Sequence, residues 1–338
     1  MKNSFFLAVV SIGMLLLFDS CSSNKLFLDT LVAEEQTLIP TKITDETQTS
    51  VVGNGYRTPE NLVTSGYGGS REKKLYWDTG NRIAISPDGT ELAYISLNNN
   101  VPNIMVKRSG AGGASTQRSF RRAQNVDWAS DNQLYFNDNT GSTSTIGSVD
   151  SKKGSLVKQI TSNNNDWSPS VTKDGNFMYF TRFDNSGPYI WSINLGTGEL
   201  TNCAKGFDPV AYSDDPYKIL CTRNSTKGNS EIWMLDLKNG NETLLLSDQN
   251  KGFSDPCVSP DGEWILVVGN SLSSITKKQN TDIYAVKMDG SGLTQITYHP
   301  EIDCSPTFSS DGKYIYFISS RANKDRKYAI WRIQNPLK

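Results

Sequence analysis

Val258-Ser259-Pro260-Asp261-Gly262, followed by Trp264-Ile265-Leu266-Val267, is a phrase that this 338-residue chain repeats. Ile85-Ser86-Pro87-Asp88-Gly89 leads into Leu92-Ala93-Tyr94-Ile95, and Val171-Thr172-Lys173-Asp174-Gly175 into Phe177-Met178-Tyr179-Phe180. Phe308-Ser309-Ser310-Asp311-Gly312 leads into Tyr314-Ile315-Tyr316-Phe317. Two worn copies lie between: Trp128-Ala129-Ser130-Asp131-Asn132 and Tyr212-Ser213-Asp214-Asp215. Each reads as a hairpin. Pro pre-sets the turn, Asp bonds its own backbone, and Gly takes the left-handed position of a short bulged loop.

The flanking runs are β-branched, aromatic and alternating, as half-buried strands are. A third strand follows in most copies, such as Glu231-Ile232-Trp233-Met234-Leu235 and Asp282-Ile283-Tyr284-Ala285-Val286. A weaker fourth closes the unit, as in Leu156-Val157-Lys158-Gln159-Ile160-Thr161 and Leu293-Thr294-Gln295-Ile296-Thr297. The turn Asp positions 88, 131, 174, 215, 261 and 311 are spaced 43, 43, 41, 46 and 50 residues apart. Four strands at a period of about 40–50 residues describe propeller blades. The expectation is all-β: a six-bladed β-propeller of four-stranded blades. The chain runs out soon after the third strand of blade six, so an N-terminal strand must complete it. Arg71–Trp77 is the expected donor.

The Ser-Pro-Asp-Gly hairpin, the Asp/Glu-Ile-Tyr/Trp third strand and the tail Met288-Asp289-Gly290-Ser291-Gly292-Leu293-Thr294-Gln295-Ile296-Thr297 resemble the TolB-type (WD40-like) propeller repeat over about residues 70–338. The resemblance implies fold more than activity, because this repeat recurs in envelope proteins, peptidase accessory domains and some lyases. The α/β domain that TolB carries before its propeller is not expected in the residues ahead of blade one.

Residues 1–20 read as a signal peptide. Lys2 supplies the positive end, and Phe5 to Phe18 forms an apolar stretch of 14 residues, short for a bilayer span. Ser20-Cys21 then resembles a bacterial lipoprotein signal, which implies a lipid on Cys21. Residues 21–69 read as a mostly irregular lipidated tether, and 70–338 as the propeller. The segment after Cys21 lacks an acidic cluster, which favours an outer-membrane anchor facing the periplasm over display at the cell surface.

Without Lys2 and Asp19 the chain carries 33 basic and 34 acidic residues. No basic stripe marks nucleic-acid binding. Arg118, Arg121 and Arg122 form one small cluster, read as a solvated loop. Of Cys203, Cys221, Cys257 and Cys304, Cys221 and Cys257 sit in apolar strand positions and read as buried thiols, with a Cys257–Cys304 bridge open on sequence grounds.

The single histidine, His299, leaves no set of imidazoles for a multi-His metal site and no Gly-x-Ser-x-Gly elbow accompanies it. It reads as a loop residue. Carboxylates remain. Asp166, Asp208, Asp255 and Asp303 stand one to three residues before Pro169, Pro209, Pro256 and Pro306. They are expected at the mouth of the central channel. There they would serve backbone turns, attract a basic partner group, or coordinate calcium, which prefers oxygen ligands. Thr181-Arg182, Thr222-Arg223 and Ser320-Arg321 suggest repeated Arg–carboxylate ties, with Glu231 and Asp282 as candidate acids. Tyr189, Trp191, Trp233, Tyr284, Tyr328 and Trp331 are expected to be sandwiched between blades. The functional expectation is a non-enzymatic envelope lipoprotein that binds a protein partner as a scaffold or assembly subunit, without a cofactor. A surface glycan-binding lipoprotein and a carboxylate-dependent glycan hydrolase are the alternatives.

Overall fold

The computed structural model describes residues 38–44, 50–51 and 82–338, the last with gaps at 99–100, 141–142, 155, 213–214, 227, 273–278, 320 and 322–327. Six antiparallel sheets follow one another around a ring. Blades two to five each use four consecutive strands, for example Asp166–Val171, Phe177–Asp184, Gly187–Asn194 and Leu200–Lys205 in blade three. The fold is the expected six-bladed propeller.

Alternation along the strands explains why six blades cohere. Side chains at successive positions point to opposite faces. Ala93 and Ile95 pack toward blade two, while Leu92 and Tyr94 pack toward blade six. Six buried clusters result, one at each seam between neighbouring blades. No blade buries both faces by itself.

An N-terminal strand completes blade six, as expected, but it is a different one from the expected donor. Blade six consists of Asp303–Phe308, Tyr314–Ser319 and Ala329–Gln334, and its fourth strand is Thr41–Lys42. Thr41 pairs with Arg332 and Lys42 with Trp331. The next two residues complete the join: Ile43 N–H donates to the Ile330 carbonyl (2.8 Å), and Ile330 N–H donates to Thr44 Oγ1 (2.9 Å). Ile43 is buried in the seam between blades six and one. Arg71–Trp77, the expected donor, lies outside the described residues, as do Cys21 and the signal segment. The same Oγ-to-amide bond ends other blades, from Ile146 N–H to Thr161 Oγ1 and from Ile283 N–H to Thr297 Oγ1 (both 3.0 Å). Thr41-Lys42-Ile43-Thr44 is therefore one more copy of Lys158-Gln159-Ile160-Thr161 and Thr294-Gln295-Ile296-Thr297.

Blade one has a second peculiarity. Its inner strand is made of two separate pieces, Ser50–Val51 and Ala84–Ile85, both paired with Glu91–Asn98. In the other five blades one continuous inner strand shifts register at the corresponding point.

The repeated turn forms as its residues dictate. Gly89, Gly175, Gly262 and Gly312 have φ of 73°, 72°, 73° and 66°, a region L side chains avoid. Each Gly N–H donates to the Ser or Thr carbonyl three residues back (2.8–2.9 Å). Ser86 Oγ donates to Asp88 (2.6 Å), which also accepts from Thr90 N–H (3.0 Å). These bonds, the Ser86 hydroxyl foremost, lower the Asp88 carboxyl from 3.8 to about 2. A depressed carboxyl contributes stability that is present above its ordinary value and lost as pH falls through the folded one. Asp88→Asn is therefore expected to flatten the fall in melting temperature between about pH 4 and about pH 2, followed by circular dichroism. Equal slopes for parent and variant would contradict this role.

Candidate functional site at the axial channel

The inner strands converge on the ring axis, and there each breaks its ladder. Two residues loop out, the first with positive φ: Asn125 (46°), Ser168 (54°), Asp208 (59°), Asp255 (49°) and Ser305 (52°). Asn and Asp tolerate this conformation better than most residues. In four of these blades the next residue is Pro169, Pro209, Pro256 or Pro306. Proline disfavours the right-handed helical region for the residue before it and has no N–H to leave unpaired where the ladder is broken. All five looped residues are buried and polar.

Their backbone is tied to the preceding blade. Ser168 N–H donates to Asn137 Oδ1 and Asp208 N–H to Thr181 Oγ1 (both 2.9 Å). Three positions further on, Asp127 Oδ2 accepts from Val171 N–H (2.7 Å) and Ser170 Oγ from Ala211 N–H (3.1 Å). Asn125 Nδ2 donates to Ser168 Oγ (3.0 Å). The axis is thus laced blade to blade by side-chain bonds to backbone that the ladders cannot serve.

Arg82 occupies the same place in blade one. Aligning Arg82-Ile83-Ala84-Ile85-Ser86-Pro87-Asp88 with Asp255-Pro256-Cys257-Val258-Ser259-Pro260-Asp261 sets Arg82 against Asp255. Its guanidinium reaches across to blades three and four. It donates to the carbonyls of Pro169 (3.3 Å) and Pro209 (3.1 Å) and to Asp208 Oδ1 (3.4 Å). A single side chain therefore spans the axis. Asp127 lies within reach of its charge, yet burial dominates and raises the Asp127 carboxyl. Neither Arg82 nor Asp127 stands out in the sequence until the repeats are aligned on the looped residue instead of the turn.

The four acids expected at one mouth fall into two sets. Asp208 and Asp255 are looped residues at the axis. Asp166 and Asp303 begin their strands two positions earlier, paired in register with Arg182 and Ser319. All four are buried. Arg182 grips Asp166 with two bonds, Nε to Oδ1 (2.7 Å) and Nη2 to Oδ2 (3.0 Å). Burial raises the Asp166 carboxyl against the opposing pull of Arg182. Arg321 Nη2 meets Asp303 Oδ2 at 2.6 Å.

The repeated Arg ties thus exist, with acids other than those expected. The third arginine, Arg223, takes Glu242 with two bonds (2.7 and 2.8 Å). Glu231 instead accepts from Trp233 Nε1 (3.1 Å) and Ser247 Oγ (2.8 Å). Each arginine also lies over its blade's third-strand tryptophan. Arg182 is 4.5 Å from the Trp191 ring, Arg223 4.8 Å from Trp233, and Arg321 5.8 Å from Trp331. Guanidinium planes suit both partners at once. These tryptophans pack in the seams, as expected.

His299 sits in the loop between blades five and six, where Nδ1 accepts from Glu301 N–H (3.1 Å). Burial lowers its imidazole below the usual value. All four described cysteines are free thiols, so Cys257 and Cys304 are not bridged. Cys257 Sγ lies 3.7 Å from Thr307 Oγ1 instead, and burial pushes the Cys221 thiol up to about 12. Among the described residues no group of three or more His, Cys, Asp or Glu is arranged to hold a metal ion. On the same face as the strand starts, Phe120 is 72% exposed beside Arg121, which pairs with Asp138 (2.9 Å).

No protein-family model matches the chain. A TolB homolog of Chlorobium chlorochromatii is 29% identical over 131 residues, covering 38% of this chain and 29% of that relative's length. The solved TolB of Acinetobacter baumannii superposes with a TM-score of 0.60 at 20% identity, over 73% of this chain and 64% of its own. A TolB structure from Agrobacterium tumefaciens gives 0.58 at 15% identity, over 79% of this chain and 93% of its own. The class is a six-bladed β-propeller with a laced axis. Within that class the chain is a TolB-like propeller protein.

The buried and exposed ties should separate in strength. Arg182→Met strands a fully buried Asp166 and is expected to cost about 3–5 kcal/mol in urea unfolding. Arg223→Met, whose partner Glu242 is 45% exposed, should cost about 1 kcal/mol or less. Equal costs would contradict the assignment.

Proposed function

We propose that this chain is a non-enzymatic cell-envelope lipoprotein whose propeller binds a protein partner as a scaffold or assembly subunit. The observation that carries the reading is the occupied axis. Arg82 crosses it, and Asp166, Asp208 and Asp303 already hold arginines of the same chain. A ring braced in this way offers its face for contact. On that face Phe120 and Arg121 combine an exposed aromatic ring with a cation, the residue types that dominate protein interfaces. Asp208 and Asp255 lie at the centre of the same ring. The likeness to TolB supports an envelope location. Ser20-Cys21 supports a lipid anchor at Cys21 in the outer membrane, facing the periplasm. Partner contact centred on Phe120, with the axial acids beneath it, is the form the interaction takes.

The test is capture of the tagged protein from crosslinked cells, in parallel with Phe120→Ala and with Arg121→Ala. One envelope protein recovered in stoichiometric amount, and lost with either variant, is the expected result. Recovery of no protein partner, with binding to purified glycans instead, would overturn the reading.

A further inference from the structure

Lys107 is a buried lysine with no acid paired to it among the described residues. Its side chain is turned into the seam between blades six and one, opposite Leu92 in register, and only 3% of the residue is exposed. Nζ donates to the carbonyls of Arg108 (2.9 Å) and Gly110 (2.8 Å). Burial pushes the ammonium down to about 8, and the nearby Arg332 guanidinium adds to the effect. Arg332 comes from the other side of the seam, on the strand that pairs with Thr41, and lies 4.3 Å from the Tyr314 ring. Among the described residues neither cation has a carboxylate within ion-pair distance. Nearby acids are engaged elsewhere: Glu91, which pairs with Arg108 in register, meets Lys152 (3.0 Å), and Asp88 serves its own turn. Two converging cations in a seam are costly without a counter-charge.

The loop that Lys107 holds is Ser109-Gly110-Ala111-Gly112-Gly113-Ala114. Gly112 and Gly113 have φ of 70° and 80°, and a Cβ on Gly110, Gly112 or Gly113 would meet nothing within 4 Å. At Gly112 and Gly113 glycine is present for conformation and not for lack of room. The N–H groups of Gly110 to Gly113 have no acceptor among the described residues. The loop is fixed from below, by Lys107 at Gly110 and by Tyr316 Oη donating to the Ser109 carbonyl (3.0 Å). The loop is thereby held in place beside the ammonium. Glycine-rich loops with unbonded amides beside a cation suit oxyanions with several acceptor atoms.

The geometry points to an oxyanion site at the seam of blades six and one, formed by Lys107, Arg332 and the amides of Gly110 to Gly113, that takes a phosphate group. A tetrahedral dianion offers acceptors to both cations and to the loop together, whereas a carboxylate offers two oxygens in one plane. The site lies on the turn side of the ring, away from Phe120, so its fate is independent of the protein-binding reading.

Isothermal titration of inorganic phosphate into the full chain tests this, at ionic strength held constant with sodium chloride and with acetate as a second titrant. Parent, Lys107→Met and Arg332→Gln are compared, each checked for folding by circular dichroism. The expected result is saturable phosphate binding, tighter than acetate, weakened at least about ten-fold in each folded variant. Arg332 is only half-buried, and its charge meets the Tyr314 ring at the edge of the seam and no carboxylate among the described residues, so Arg332→Gln keeps the test decisive if Lys107→Met fails to fold. Absence of saturable phosphate binding, or equal binding by parent and Arg332→Gln, would overturn the site. Acetate binding as tightly as phosphate would overturn its assignment to phosphate.

Discussion

The amide of Ile330 donating to Thr44 Oγ1, with the Ile43 side chain packed beside it, is the contact on which the ring depends. Each blade is a twisted sheet with two apolar faces. A row of such sheets leaves the first and last faces open to water, and only closure removes both. Here the closing strand spans just Thr41–Lys42. Its hold comes less from ladder length than from the buried Ile43 and the Thr44 hydroxyl. The seam that it completes also contains Tyr94, Tyr316, Ile318 and Ile330, so one short strand covers an apolar face contributed by two blades. The first and last parts of the described chain thereby meet in one sheet.

At the axis the constraint is reversed. Six inner strands crowd together and cannot all keep straight ladders. Five of them release two residues, blade one's strand is divided instead, and at Ser168 and Asp208 the released backbone is served by polar side chains from the blade before. This is why the centre is polar although the seams are apolar. Arg82 fits the same logic: it enters where blade one's inner strand is divided into two pieces and satisfies carbonyls that blades three and four leave open. Charge at the axis is spent on holding blades together. The Arg–acid–tryptophan ties do the same work further out, and they explain why three blades carry an arginine at the end of their second strand.

The repeated turn made the architecture legible. Ser-Pro-Asp-Gly has one low-energy conformation, so residues close in sequence report it fully. The closing strand was harder to read. Thr41-Lys42-Ile43-Thr44 matches two later outer strands, but it stands apart from any turn phrase, and its partner lies almost 300 positions away. Asp166 and Asp303 looked equivalent to Asp208 and Asp255 because each precedes a proline. A two-residue offset separates a residue still paired in the ladder from one in the looped-out pair, and the structure places the first pair on arginines and the second at the axis. Arg82 was hidden for a related reason: nothing local distinguishes a lysine or arginine that crosses an axis from one in solvent. The arginine ties were legible from one side only, since Glu242 lies on an outer strand whose register the sequence does not specify.

The closing contact can be measured directly by the unfolding free energy of Ile43→Ala, with Ile39→Ala as the exposed control four residues away. Ile43 is 1% exposed and Ile39 76%. The account predicts a loss of about 2–5 kcal/mol for Ile43→Ala in one cooperative urea transition, and almost none for Ile39→Ala. Ile43→Ala as stable as the parent would mean that residues 41–44 do not close the ring.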